Sequence, residues 1–134
     1  MPDNFPQRSH CPINYALESF GDKWTLLIIR DLMFNDKQSY GDFLSSGEKI
    51  STNILADRLK RLDELGIVSR EVKQANGPKV SYSLTQKGRD LLPIMLEITR
   101  WSGKYDADTY ASRSFLARIE QNRDKLIAAI RAGW

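Results

Sequence analysis

An amphipathic helix followed directly by two short β-prone runs is the feature that most constrains the fold. Residues 51–65 place an isoleucine and four leucines on one stripe, and a glycine follows them. The runs 67–72 and 79–84 flank an Asn76-Gly77 pair, which is typical of a hairpin turn because both positions tolerate positive φ. The sequence therefore predicts a β-hairpin attached to the end of a helix.

Three shorter helices are predicted ahead of the amphipathic one. Pro12 suits the first turn of a helix over residues 12–20, and residues 23–34 are apolar nearly all round, as in a central helix. A third helix over about residues 39–46 is joined to the amphipathic helix by a tight turn, and Ser51 is a good amino-terminal cap. This arrangement is typical of a helix-turn-helix, with the amphipathic helix as its candidate recognition helix.

Two long helices are predicted after the hairpin. Thr85 caps the first, and we expect a kink at Pro93 because proline removes a donor and clashes with the preceding turn. The second covers about residues 109–132. The predicted fold class is mainly α with a β-hairpin wing, a winged helix-turn-helix in the order α-α-α-α-β-β-α-α. At 134 residues the chain fits a single domain, residues 1–134.

Composition excludes several other classes of protein. The longest aliphatic run, residues 26–29, is far shorter than the ~20 apolar residues of a membrane span. Residues 1–9 lack the apolar core of a signal peptide, so we expect a cytoplasmic protein with no membrane partner. One cysteine and one histidine exclude an internal disulfide and a Cys/His zinc site, and we expect no metal or cofactor. Without a Gly-rich phosphate loop or a Gly-x-Ser-x-Gly element, the sequence does not indicate an enzyme.

Basic residues cluster in one part of the chain. The net charge of +3 is too small to indicate an anionic partner by itself, but residues 72–89 contain no acid and carry Lys73, Lys79, Lys87 and Arg89. Such a run is often only a solvated face, and a wing sometimes only caps the core. On a predicted hairpin we favour contact between a DNA backbone or minor groove and the wing residues Lys73, Asn76, Gly77 and Lys79.

The polar face of the recognition helix carries the candidate base-reading residues. A helix in the major groove reads bases mainly with its amino-terminal residues, here Thr52 and Asn53, and asparagine pairs bidentately with adenine. Ser51 and the backbone N–H groups beside it suit a phosphate. Further phosphate contacts, which supply affinity and register rather than specificity, are expected from Lys49, Lys60 and Arg61.

Three cations of this helix have alternative roles. Arg61 lies four residues after Asp57, and Lys60 lies four residues before Glu64, so each is placed to form an ion pair within the helix. Arg58 lies beside the leucine stripe, where it either holds the third and fourth helices together or reaches a DNA phosphate. The sequence leaves these alternatives open.

Cys11 is the one residue with a candidate chemical role. At the amino terminus of the first helix and beside His10, its thiolate would be stabilised by the helix dipole and by positive charge, as in oxidisable cysteines. The alternative is that Cys11 is merely a small hydrophobic residue near a dimer interface. His10 alone does not indicate a ligand site.

Together these motifs resemble the HxlR-type bacterial transcriptional regulators, a winged-helix family related to the MarR-type regulators. The resemblance covers residues 11–101, and the set is highly specific in this order and spacing. The matching motifs are CPI at 11–13, GDKWTLLIIR at 21–30, ISTNILADRLKRL at 50–62, LGIV at 65–68, VSYSLT at 80–85, KG at 87–88 and LLP at 91–93.

The resemblance implies a homodimer that binds pseudo-palindromic double-stranded operator DNA and regulates transcription, in our interpretation as a repressor. Residues 12–92 would form the DNA-binding core, and residues 12–20 and 93–134 the dimerisation helices. Several members of the family sense oxidants, quinones or aldehydes through the cysteine that corresponds to Cys11. Because this chain has one cysteine, any disulfide must join two subunits.

Two further points follow from the resemblance. Many relatives carry more arginine in the wing, whereas this chain has Lys73 and Lys79, which implies looser phosphate contact. The alternative function is a protein-interaction module that uses the winged helix as a docking surface, without sequence-specific DNA binding.

Overall fold

The computed structural model describes residues 8–74 and 76–134. In these ranges four helices precede an antiparallel hairpin and four follow it: α1 (Pro12–Phe20), α2 (Thr25–Phe34), α3 (Tyr40–Leu44), α4 (Thr52–Glu64), β1 (Val68–Gln74), β2 (Pro78–Leu84), α5 (Gln86–Arg89), α6 (Leu92–Tyr105), α7 (Arg113–Gln121) and α8 (Arg123–Ala132). The predicted fold class, mainly α with a β-hairpin wing, is confirmed. The predicted turn residue Ala75 and most of the polar amino end lie outside the described residues. None of the helices described is both long and apolar enough to cross a membrane.

The chain divides into two compact units, one ending at Arg89 and the other formed by Asp90–Trp134. The first contains α1–α5 and the hairpin, and its apolar core combines α2, α3, α4 and the base of the hairpin. Its buried hydrophobic residues are Ile28, Ile29, Met33, Phe43, Ile50, Leu55, Leu59, Leu62, Leu65, Ile67, Val68 and Tyr82. This core agrees with the predicted central position of the second helix and with the leucine stripe of the fourth.

The second helix begins two residues later than predicted, at Thr25 instead of Lys23. Asp22 causes the shift because its carboxylate accepts hydrogen bonds from the amides of Trp24, at 3.0 Å, and Thr25, at 3.2 Å. A carboxylate that satisfies these amides marks the start of a helix.

The hairpin follows α4 as predicted. Gly66 has a φ of 73° after the helix, and Thr85 accepts a hydrogen bond from the Gly88 amide at 3.2 Å, so it caps α5. At the tip, Asn76 and Gly77 both adopt positive φ, 57° and 97°. These left-handed conformations are the ones that an Asn-Gly turn supplies at low cost.

Both helices predicted after the hairpin are in fact pairs of helices. α5 ends at Arg89, and α6 begins at Leu92 with Pro93 in its first turn. The proline ring would clash with the carbonyl of Arg89 in a continuous helix but is tolerated in a first turn, so the predicted kink is a break. Similarly, Asn122 separates α7 from α8 with a ψ of 44°.

Candidate nucleic-acid interface

α4 presents its amino-terminal polar residues to solvent. The Ser51 side chain accepts a hydrogen bond from the Ile54 amide at 3.3 Å, which confirms its predicted role as the cap. Thr52 and Asn53 follow at exposed positions, while Leu55 on the opposite stripe is fully buried. One face of α4 therefore belongs to the core, and the face with the predicted base-reading residues is open to a partner.

Lys49 lies in the turn between α3 and α4. Its φ is 60°, its side chain is exposed, and its amide donates to the Ser46 carbonyl at 3.1 Å. The next residue, Ile50, is buried. The turn is thus anchored in the core and holds Lys49 at the surface beside the amino end of α4.

A polar cluster around Asp31 fixes α2 against this turn. Asp31 is only 2% exposed, and its carboxylate lies 2.5 Å from the Ser46 hydroxyl and accepts from the Asn35 amide group at 2.8 Å. Burial raises the pKa of Asp31, but hydrogen bonds from Ser46 and Arg30 outweigh it and hold this pKa below its usual range. The Arg30 guanidinium also donates to both carboxylate oxygens of Glu48, at 2.7 and 2.9 Å. The only sequence signal of this cluster is one acid within an apolar helix.

The wing brings its two lysines together. In the register of β1 and β2, Lys73 lies directly opposite Lys79, and both side chains are exposed. Asn76 and Gly77 are exposed at the tip between them. The structure therefore gathers the four predicted wing residues on one end of the hairpin.

The base of the wing is attached to the segment before α3. The Tyr82 amide of β2 donates to the Gln38 carbonyl at 2.9 Å, and the Tyr82 ring lies edge-on to Phe43 in the core. A groove of about 320 Å³ lies beside this attachment, lined by Gln38, Ser39, Asp42, Lys73, Lys79, Val80 and Ser81. The wing is thus joined to the helix-turn-helix by a backbone hydrogen bond that sequence reasoning did not predict.

Arg58 joins α4 to the start of α2, and not to α3. Its Nε donates to Asp22 Oδ2 at 2.8 Å, and its Nη1 donates to Asp57. Burial raises the pKa of Asp22, but hydrogen bonds from Thr25, Arg58 and the Trp24 amide outweigh this effect and lower its pKa from 3.8 to about 2. Asp22 is therefore ionised when it pairs with Arg58.

Arg61 and Lys60 have different surroundings. Arg61 is half-buried, and its Nη2 donates to the backbone carbonyl of Glu18 in the last turn of α1. Lys60 and Glu64 are both described and both exposed, and the ion pair considered between them is not formed. Of these two cations, Lys60 is thus the one that faces solvent.

Cys11 occupies the cap position of α1 and is exposed. Its backbone amide donates to the Ser9 hydroxyl at 3.3 Å, and its side chain caps no amide of the helix. Within the part of the chain that the structure describes, no group of three or more His, Cys, Asp or Glu side chains is able to hold a metal ion. The thiol is accessible in the single chain.

Each unit also exposes large apolar side chains. On α1, Ile13 is 71% exposed and Leu17 is more than half exposed. On α6, the residues Ile94, Ile98, Trp101 and Tyr105 recur at helical spacing and are all exposed. Contiguous apolar patches of this kind are characteristic of protein–protein interfaces.

Comparison with known proteins places the chain among transcriptional regulators. The family model described as HxlR-like helix-turn-helix matches residues 19–110. The HTH-type transcriptional regulator YybR of Bacillus subtilis (strain 168) is 34% identical over 108 residues, which cover 81% of this chain and 85% of that protein.

Solved structures show the same fold. The crystal structure of PA1607 matches with a TM-score of 0.69 and 34% identity, over 79% of this chain and 72% of that one. The redox regulator HypR in its oxidised form matches with a TM-score of 0.66 and 34% identity, over 74% of this chain and all of that one.

These matches agree with the resemblance in residues 11–101 and with the prediction that the chain is not an enzyme. The family model covers well over half of the chain, and the relative named above is a helix-turn-helix regulator. The chain belongs to the HxlR-like helix-turn-helix family and is a transcriptional regulator with a DNA-binding winged-helix fold.

Proposed function

We propose that this protein is a homodimeric repressor that binds double-stranded operator DNA in a sequence-specific manner. The observation that carries the proposal is the exposed amino end of α4, with Thr52 and Asn53, in the same unit as a hairpin that bears two opposed lysines. Helix and hairpin are the two elements with which a winged helix contacts a duplex.

The proposed roles divide the contacts into base reading and phosphate binding. Thr52 and Asn53 contact base edges in the major groove, where the asparagine amide pairs with adenine. Ser51, with the amides beside it, and the exposed Lys49 and Lys60 contact the phosphate backbone. These contacts orient α4, and the base contacts supply the specificity.

The wing supplies a second backbone contact. Like charges directly opposite each other on two strands destabilise a hairpin, so the Lys73–Lys79 arrangement favours an anion near both ammonium groups. Asn76 and Gly77, at the tip, are placed to approach the backbone or the minor groove. A DNA phosphate satisfies both lysines.

The proposed dimer places residues 12–20 and 93–134 at the interface and leaves residues 12–92 as the DNA-binding core. The exposed apolar side chains on α1 and on α6 support this division. A two-fold dimer would address two half-sites about 34–36 Å apart, or a multiple of that distance, on one face of the duplex.

The proposed signal input is Cys11. Its exposure and its position at the start of α1 suit a thiolate that reacts with oxidants or electrophiles, and HypR, a redox regulator, shares the fold. Mass spectrometry after a mild oxidant tests this role. We expect Cys11 to gain mass as DNA is released, and neither change in Cys11→Ser. Release of DNA from the wild-type protein with Cys11 unmodified would contradict it.

Selection of bound duplexes from a random pool tests the DNA-binding proposal. The expected result is a pseudo-palindromic consensus that the protein prefers over random DNA by at least about 1,000-fold. Size measurement of the complex should give two protomers per duplex. If the protein fails to shift any duplex even at low salt, the chain is a protein-docking module instead.

A further inference from the structure

We propose that Arg58 and Arg61 are positioning residues that hold the recognition helix α4 in its base-reading orientation, and that they neutralise no DNA phosphate. Both attach α4 to the corner formed by the end of α1 and the start of α2. The proposal rests on the DNA-binding function proposed above and assigns these two cations a different role in it.

The Asp22 carboxylate links α4 to the start of α2. Its Oδ2 accepts from the amides of Trp24 and Thr25, which begin α2, and from Nε of Arg58 at 2.8 Å, while Oδ1 lies 2.5 Å from the Thr25 hydroxyl. A single carboxylate thus caps one helix and holds a cation of another. Because all of these partners are fixed in α2 or α4, the carboxylate defines how the two helices meet.

Arg61 forms the second attachment. The acceptor is the backbone carbonyl of Glu18, one of the last four carbonyls of α1, which have no partner within the helix. A cation at the carboxyl end of a helix is also favoured by the helix dipole. A backbone acceptor moves only with the helix that carries it, so this bond holds α4 to α1 itself.

The two attachments lie one turn apart on α4, which fixes the direction of the helix as well as its position. With a rise of 1.5 Å per residue, Asn53 lies about 8 Å along the axis from Arg58, so a tilt of about 10° there moves Asn53 by about 1 Å. A displacement of that size disrupts a bidentate hydrogen bond to a base. Loss of either attachment therefore weakens base reading before it weakens folding.

The ion pairs of Arg58 also argue against a contact with a DNA phosphate. Its guanidinium is already bound by two carboxylates, those of Asp22 and Asp57, and a cation neutralised within the protein releases few counterions from DNA. Asp57 is the more exposed of the two acids. It makes a matched control because its loss leaves the attachment to α2 in place.

The experiment compares Asp22→Asn with Asp57→Asn on the selected operator and on random duplex across a range of salt. Asparagine keeps an oxygen that accepts from the two amides and from Arg58, but it removes the negative charge and so reduces the ion pair with Arg58 to a neutral hydrogen bond. We expect Asp22→Asn to bind the operator about tenfold more weakly, with random-duplex affinity and salt slope unchanged, and Asp57→Asn to behave as wild type. Higher affinity of Asp22→Asn for both duplexes would overturn the proposal, since removal of an acid would then act only by charge.

A second pair of variants tests Arg58 itself. Arg58→Lys should recover part of the operator preference that Arg58→Gln loses, and neither should change the salt slope. A slope that is lower by about 1 in Arg58→Gln would show a phosphate contact and overturn the proposal. Residual dipolar couplings of the free protein provide an independent readout, because α4 should reorient relative to α2 in Asp22→Asn. If α4 reorients in Asp22→Asn but the wild-type protein does not prefer the operator over random DNA, the DNA-binding function alone is refuted. If the couplings of Asp22→Asn equal those of the wild type, the positioning role is refuted.

Discussion

Lys87 donates a hydrogen bond from Nζ to the carbonyl oxygen of Leu65 at 2.9 Å, and the same ammonium lies 5.7 Å from the centre of the Tyr15 ring. Leu65 is the carboxyl-terminal cap residue of α4, where carbonyls lack helical partners and a positive charge is favoured. Lys87, in α5, therefore helps to cap the carboxyl end of α4, although it belongs to the same acid-free run as Lys73 and Lys79.

Lys87→Met should destabilise the protein without changing how it binds DNA. Methionine keeps most of the apolar stem but loses the hydrogen bond and the charge, so we expect the free energy of unfolding to fall by about 1 kcal/mol. Urea unfolding measures this loss, and a salt titration of DNA binding should give the wild-type slope. A lower slope in Lys87→Met would place Lys87 at the DNA.

Lys79→Met is expected to show the opposite pattern. Its side chain is exposed and faces Lys73, so its loss should leave the stability unchanged or slightly higher. The affinity should fall to a similar extent for operator and random DNA, and the salt slope should decrease by about 1. A fall confined to the operator would argue against a backbone contact.

Asn53→Ala should reduce specificity and not general affinity. The exposed amide is expected to read one base, and loss of a bidentate pair costs about 1–3 kcal/mol of discrimination. A repeated selection from the random pool should return the same consensus with one position per half-site relaxed. Equal losses on operator and random DNA would remove the base-reading role from Asn53.

Gly88→Ala should disrupt the packing of α5 on the base of the hairpin. A Cβ at residue 88 would lie 2.3 Å from the Ile67 carbonyl oxygen and 2.9 Å from a methyl carbon of Leu84, and the backbone atom has little room to move. We expect a loss of about 1–3 kcal/mol. Gly47→Ala is the matched control because nothing lies within 4 Å of its Cβ, and it should retain wild-type stability; similar losses in both variants would contradict this packing.

Asp22 makes part of the stability pH-dependent. Its pKa is about 2 in the folded protein against an ordinary value of 3.8, so its ionised form stabilises the fold, fully above pH 4 and progressively less as the pH falls toward 2. After allowance for solvent screening this contribution is about 1 kcal/mol. The stability gap between wild type and Asp22→Asn should close over that range in urea unfolding, and a gap that stays constant would contradict the assignment.

The elements that could be predicted from the sequence are those whose signals are local. The leucine stripe of α4, the cap at Ser51 and the Asn76-Gly77 turn depend on neighbours within a few residues, and the structure contains all of them. The start of α2 and the break at Pro93 also have local causes, but in each case the sequence is compatible with two outcomes. The helix can begin at Lys23 or at Thr25, and Pro93 can kink a helix or begin a new one. The hydrogen bonds accepted by Asp22 place the start of α2 two residues later than predicted.

The contacts that could not be predicted join distant residues. Arg30 and Glu48 are 18 residues apart, Arg58 and Asp22 are 36 apart, and Arg61 reaches Glu18 over 43. No spacing rule distinguishes such arginines from cations that face DNA, because both occupy polar positions on helices. The sequence thus predicted the candidate interface as a set of residues, whereas the intramolecular partners of Arg58 and Arg61 were visible only in the structure.

The hydrogen bond from the Tyr82 amide to the Gln38 carbonyl divides the hairpin into a fixed base and a free tip. It anchors the hairpin at its base, while at the far end residues 73, 74 and 76–79 are exposed, with Lys73 paired to Lys79 and Gln74 to Pro78. The sequence of the tip can therefore change independently of the anchored base of the hairpin. Replacement of these residues by those of a relative should alter the footprint on DNA while the rest of the protein folds unchanged, so divergence of the tip carries little cost.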